Sequence, residues 1–73
     1  MTLDQIQVGH DFTVSTVRSQ GEIRRRLVDM GFVCGANGKV LRKALLGDPI
    51  ELRLGSYLIS IRAAEARSIE VEP

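Results

Sequence analysis

Residues 49–62 constrain the fold more than any other stretch of this chain. Ile50, Leu52 and Leu54 alternate with Glu51 and Arg53, and Tyr57, Ile59 and Ile61 alternate with Ser60 and Arg62. A period of two puts one set of side chains on the inner face of a strand and the other set in water. Between the two runs stands Gly55-Ser56, which leaves room only for a tight turn, so the segment reads as a β-hairpin. A lone hairpin is marginal in water. The rest of the chain must therefore add strands or a helix to cover the apolar face.

It does so in order. Leu3 to Val8 reads as a short opening turn, with Leu3, Ile6 and Val8 facing the core and Gly9 ending it. Residues 11–18 are rich in Thr, Val and Phe and read as a strand. Ser19-Gln20-Gly21 break that pattern. From Glu22 to Met30 the period changes: Ile23, Leu27 and Met30 fall on one face of a helix. Glu22 lies in the first turn, where the macrodipole favours a carboxylate. Gly31 follows the last periodic residue, as a left-handed C-terminal cap requires. Lys39 to Leu45 reads as a strand with mixed faces, Arg62 to Arg67 as one helical turn, and Ser68 to Glu72 as a closing strand carrying Ile69 and Val71. The expectation is a mainly β domain over residues 1–73. It has about five short strands, one short helix after the first strand, and a partly open barrel as its architecture.

Seventy-three residues can bury only about 60% of the surface exposed when unfolded. Cys34 is the single cysteine, so no disulfide staples the monomer, and a lone thiol suits a reducing, cytoplasmic setting. Phe12, Phe32 and Tyr57 are the only aromatic residues, which makes the core aliphatic. Ten basic residues against nine acidic ones are spread evenly, with no charged tail to draw nucleic acid. Met1-Thr-Leu-Asp-Gln lacks the features of a signal peptide. No apolar run approaches the roughly 18 residues that would span a bilayer, so a membrane role is expected only through a partner.

Chemistry is sparse. Consecutive arginines Arg24 to Arg26 fan out around a helix and do not form one anion-binding cluster. Glu22 and Asp29, each four residues from an arginine, are placed to neutralise that face. Gly47-Asp48-Pro49 is a turn: Gly47 permits unusual dihedrals, Asp48 can bond the turn backbone, and Pro49 fixes the start of the next strand. It lacks the longer glycine-rich loop of a phosphate cradle. Leu45 and Leu46 precede it and read either as a cap on the barrel's end or as a docking patch. His10 and Cys34 are weak metal-ligand candidates, since a dedicated site needs three or four convergent ligands. A thiol without an activating helix N-terminus makes an unconvincing nucleophile, so no catalytic residues are assigned.

The segments Arg26-Leu27-Val28-Asp29-Met30-Gly31 and Leu46-Gly47-Asp48-Pro49-Ile50, with Arg62 at the end of a strand, resemble the FeoA family of bacterial ferrous iron transport proteins. The resemblance runs over almost the whole chain. It implies an SH3-like barrel and a non-enzymatic accessory role beside the membrane transporter FeoB, on the cytoplasmic side. The same domain closes iron- and manganese-responsive repressors, which implies an alternative role as a module sensing Fe²⁺ or another divalent transition metal. A nucleic-acid-binding barrel is a third and weaker reading. Under the first reading, Arg24, Arg25 and Val28 of the helix and Leu45 and Leu46 of the turn form the contact surface. Gly31, Gly47, Asp48 and Pro49 are structural. The family pattern has proline where this chain has Cys34, so that turn is expected to be looser. Exposed strand edges also give the chain a route to self-association.

Overall fold

The computed structural model describes all residues, 1–73. A 3-10 turn at Leu3–Gln5 leads into β1 (Asp11–Val17), α1 (Gly21–Asp29) and β2 (Asn37–Lys43). A second 3-10 turn at Leu45–Gly47 precedes β3 (Ile50–Leu54) and β4 (Tyr57–Ile61), and α2 (Ala63–Ala66) and β5 (Ile69–Glu72) close the chain. The strands form one antiparallel sheet in the order β4-β3-β2-β1-β5. Its register shifts between Val14 and Thr16 on β1 and between Val40 and Arg42 on β2. Such bulges bend a strand and sharpen its twist, which lets five short strands curl around a core.

The expected hairpin is present, with Leu54 opposite Tyr57 across Gly55-Ser56 and Ile50 opposite Ile61. The second strand runs Asn37–Lys43, two residues earlier at each end than the sequence pattern indicates. Asn37 and Gly38 lack strand-forming side chains but are recruited by Thr13 and Phe12 of β1. Leu45 is left outside the strand, in the turn.

Fifteen buried apolar residues form one cluster, and no polar or charged residue is buried with them. The driving force is therefore hydrophobic burial with no internal polar network. Phe12, Val14, Val40, Ile50, Leu52 and Leu54 line it from the sheet; Leu3, Ile6, Leu27, Phe32 and Ala66 close it. Two expected core residues are outside. Val8 is exposed because it sits in the Gln7–His10 turn, where the His10 N–H reaches the Gln7 carbonyl at 3.1 Å. Ile23 is also exposed: α1 buries only Leu27, and Ile23, one turn earlier, projects past the barrel. Met30 is half-buried against the core. Gly31 has φ +113°, a conformation that L side chains rarely adopt, as its capping role requires.

The two edges of the sheet are treated differently. On β5, Thr2 forms an antiparallel bridge to Glu70, and the Val71 N–H donates to the Met1 carbonyl at 2.8 Å. Glu70 is half-buried and pairs with the Met1 ammonium at 3.2 Å and with Arg18 at 3.3 Å. On the opposite side β4 has no neighbour beyond β3. That position explains another departure from the alternating pattern. Ile61 is buried and Ile59 half-buried, but Tyr57 is 70% exposed at the far end of the strand.

Candidate docking surface

Helix α1 presents its outer face because its only deep anchor is Leu27, supported by the Phe32 N–H donating to the Leu27 carbonyl at 3.1 Å. Gly21, Arg24, Arg25, Val28 and Asp29 line a shallow depression of about 350 Å³ on this face. The structure thus brings together three of the five expected contact residues. Arg24 is held in place by its own guanidinium, which donates to the Val17 carbonyl at the end of β1 at 2.6 Å. Arg25 has no ion partner within the chain and is free to meet an external carboxylate.

The expected neutralisation along the helix is replaced by a longer-range arrangement. Arg26 pairs with Glu65 of α2, while Glu22 and Asp29 make no ion pair. A carboxylate on the neighbouring element outcompetes one on the same helix because it is half-buried and held in position. Its other oxygen accepts the Arg62 N–H at 3.1 Å, closing the first turn of α2.

Leu45 and Leu46 occupy a separate turn, 89% and 96% exposed. They do not cap the barrel. The neck of the turn is closed by the Ala44 N–H donating to the Pro49 carbonyl at 3.0 Å and the Gly47 N–H donating to the Ala44 carbonyl at 2.8 Å. Leu46 has φ +64° and Gly47 φ +78°. The left-handed region costs a non-glycine residue about 1–2 kcal/mol. Two leucines are therefore held in water, one of them in a strained backbone. The Asp48–Pro49 peptide is cis. Asp48 does not bond its own turn, as the sequence suggested. Its carboxylate instead accepts the Ala63 N–H at 3.0 Å and lies 3.5 Å from the Arg62 guanidinium, so it caps α2 from fifteen residues away. The path from α1 to the Leu turn therefore runs through α2: Arg26 to Glu65, Glu65 to Arg62, Arg62 to Asp48.

The metal candidates do not converge. His10 is exposed ahead of β1, Cys34 is exposed in the turn before β2, and no group of three or more His, Cys, Asp or Glu side chains could hold a metal ion. The Cys34 turn is tied to β1 by the Gly35 N–H donating to the Val14 carbonyl at 2.8 Å, with the Val14 N–H returning to the Ala36 carbonyl at the same distance. The ionisation of Arg42 is raised by its hydrogen bond and charge attraction to Glu51. Both groups are solvent-accessible, so the pair adds little to stability.

Sequence reasoning missed Leu58, which is 78% exposed on the outer face of β4. With Leu41, Leu52 and Ile59 it lines a shallow groove of about 210 Å³. The signal was available in the alternation itself, since Leu58 falls among the outward positions of its strand.

A curved five-stranded antiparallel sheet with a helix between its first two strands defines a small SH3-like domain. The chain belongs to the FeoA family: the family model described as the FeoA domain matches residues 1–73. A Porphyromonas gingivalis protein named as a fusion of Fe(2+) transport protein A with the Fe(2+) transporter FeoB is 36% identical over 72 residues. The match covers 99% of this chain but only 8% of that protein. The solution structure of the FeoA protein from Chlorobium tepidum is 43% identical, with a TM-score of 0.91, covering 99% of this chain and 69% of the other. The crystal structure of Stenotrophomonas maltophilia FeoA complexed with zinc, described as a prokaryotic SH3 domain protein, is 28% identical with a TM-score of 0.88 over 99% of this chain and 89% of its own. The fold alone is shared with a manganese-dependent transcriptional repressor, at 17% identity and a TM-score of 0.84 over 94% of this chain and 39% of that one.

Proposed function

We propose that this chain is a non-catalytic accessory of ferrous iron uptake that docks on the cytoplasmic part of a FeoB-type transporter. The observation that carries this reading is the Porphyromonas gingivalis relative, in which the FeoA and FeoB parts are joined in one protein. Fusion holds a binding module near its target at an effective concentration of about millimolar for a short flexible link. Without such a link, docking rests on the affinity of the surface itself. No helix here is long and apolar enough to cross a membrane, so on this reading the membrane is reached through the partner.

The contact surface we assign is the α1 face with Arg24, Arg25 and Val28, extended by Leu45 and Leu46. It combines exposed apolar side chains with an unpaired guanidinium at Arg25. Interface energy concentrates in a few such anchors. The test is recovery of the transporter from solubilised membranes on the tagged chain, with and without a guanine nucleotide. Arg24→Glu with Arg25→Glu, and separately Leu46→Ser, are expected to weaken recovery by about tenfold or more, because truncating an anchor costs at least about 1–2 kcal/mol. Unchanged recovery in both variants overturns the surface. Failure of the unaltered chain to recover the transporter in any nucleotide state overturns the docking itself. Saturable metal binding lost on changing His10 or Cys34 would instead support a metal-sensing module.

A further inference from the structure

We propose that β4 is a self-pairing edge: two copies of this chain associate through antiparallel β4–β4 pairing about a two-fold axis at Ile59. The inference does not depend on the transporter reading. It starts from the asymmetry of the sheet, in which the β5 edge is covered by Met1 and Thr2 while β4 pairs only with β3.

The hydrogen-bond phase of β4 suits such a pair. In a two-residue hairpin the closing residues, here Leu54 and Tyr57, exchange their backbone bonds, and hydrogen-bonded pairs then alternate along the ladder. The N–H and C=O groups of Tyr57, Ile59 and Ile61 consequently point toward β3, and those of Leu58 and Ser60 point out from the free edge. A two-fold axis at Ile59 sets Leu58 directly opposite Ser60 of the second copy, and Ser60 opposite its Leu58. These are the residues whose outward groups can complete hydrogen-bonded pairs. Tyr57 falls opposite Ile61, whose side chain is already buried in its own core, so the gain at this position is the covering of the exposed Tyr57 ring.

Charge also permits it. The strand Tyr57-Leu-Ile-Ser-Ile61 carries no charged residue and no proline, the usual devices that keep an edge from pairing. Arg62 would face Ser56, so no like charges meet across the axis. Pairing covers Leu58 and Tyr57, which are 78% and 70% exposed in the single chain. One short strand per copy buries about 1,000 Å² at most, the low end for a specific interface, so the dimer is of the weak class, micromolar or weaker.

Sedimentation of the full chain across a concentration series, with amide hydrogen exchange at each concentration, tests the proposal. A monomer–dimer equilibrium is expected, with exchange at Leu58 and Ser60 slowing as the dimer fills. Leu58→Lys places two lysines at diagonal positions of the paired strands, about 7–8 Å apart along the backbone, and should raise the dissociation constant about tenfold or more. Adding Ser60→Glu to the same chain sets each lysine directly across from a glutamate and should restore the dimer. Both side chains are at the surface, and an unchanged thermal midpoint will show that each variant folds. A chain that stays monomeric at near-millimolar concentration overturns the proposal. So does a dimer indifferent to Leu58→Lys, a double variant that fails to recover, or protection that appears on β4 only when a transporter fragment is added.

Discussion

Phe32→Ala is expected to remove roughly half of the domain's stability. Phe32 heads the fully buried side chains by volume, and it sits where the chain leaves α1 and turns into the core. Truncating a buried phenylalanine costs about 3–5 kcal/mol, since the site collapses only partly around the cavity. A domain of this length has roughly 4–11 kcal/mol in total, at about 0.05–0.15 kcal/mol per residue. No disulfide or polar network shares the load. Urea titration followed by far-ultraviolet circular dichroism checks this. A midpoint within experimental error of the parent chain would contradict the assigned packing.

The second large effect comes from adding a single carbon. Gly38→Ala builds a Cβ 2.5 Å from the Arg53 carbonyl oxygen and 2.5 Å from Cζ of Phe12. Neither neighbour can retreat cheaply: the carbonyl belongs to β3, which is paired with β2, and the Phe12 ring is buried in the core. Overpacking of this kind costs about 1–3 kcal/mol and sometimes more, and two unyielding neighbours put this site at the upper end. Gly47→Ala is the contrast. Nothing lies within 4 Å of its Cβ, so only the left-handed backbone at φ +78° is penalised, by about 1–2 kcal/mol. Thermal melts of the two variants should separate steric from conformational cost. Equal losses would mean that the Phe12–Gly38 contact is looser than described.

The same contrast shows what could be read from the chain before its structure. Local rules carried far. Alternation located β3 and β4, Gly55-Ser56 located their turn, and the changed period with Gly31 located α1. Gly38 illustrates the limit. In sequence it is a weak residue near the start of a strand. It is a strand residue because Phe12, twenty-six positions earlier, needs the space above it. Tyr57 and Leu58 mark the same boundary. Their spacing is correct for a half-buried strand, but no local pattern shows whether a strand lies inside a sheet or at its rim. At the surface, the Arg-rich helix and the paired leucines were legible as unusual features. The partners of Arg26 and Asp48 were not, because both lie on α2, far along the chain.

That short helix has a further consequence for solution behaviour. Helix α1 and the Leu45–Leu46 turn are linked by a relay of guanidinium and carboxylate groups, and the arginines at both of its ion pairs are more than half exposed. Attractions between exposed charges fade as dissolved ions crowd in, over a screening distance of about 8 Å at physiological strength and about 3 Å in molar salt. Concentrated salt is therefore expected to weaken the two ion pairs of this relay, while the backbone bonds from Arg62 to Glu65 and from Ala63 to Asp48 remain. Binding carried by the apolar leucines should consequently weaken in salt, although leucine contacts alone would hold or strengthen.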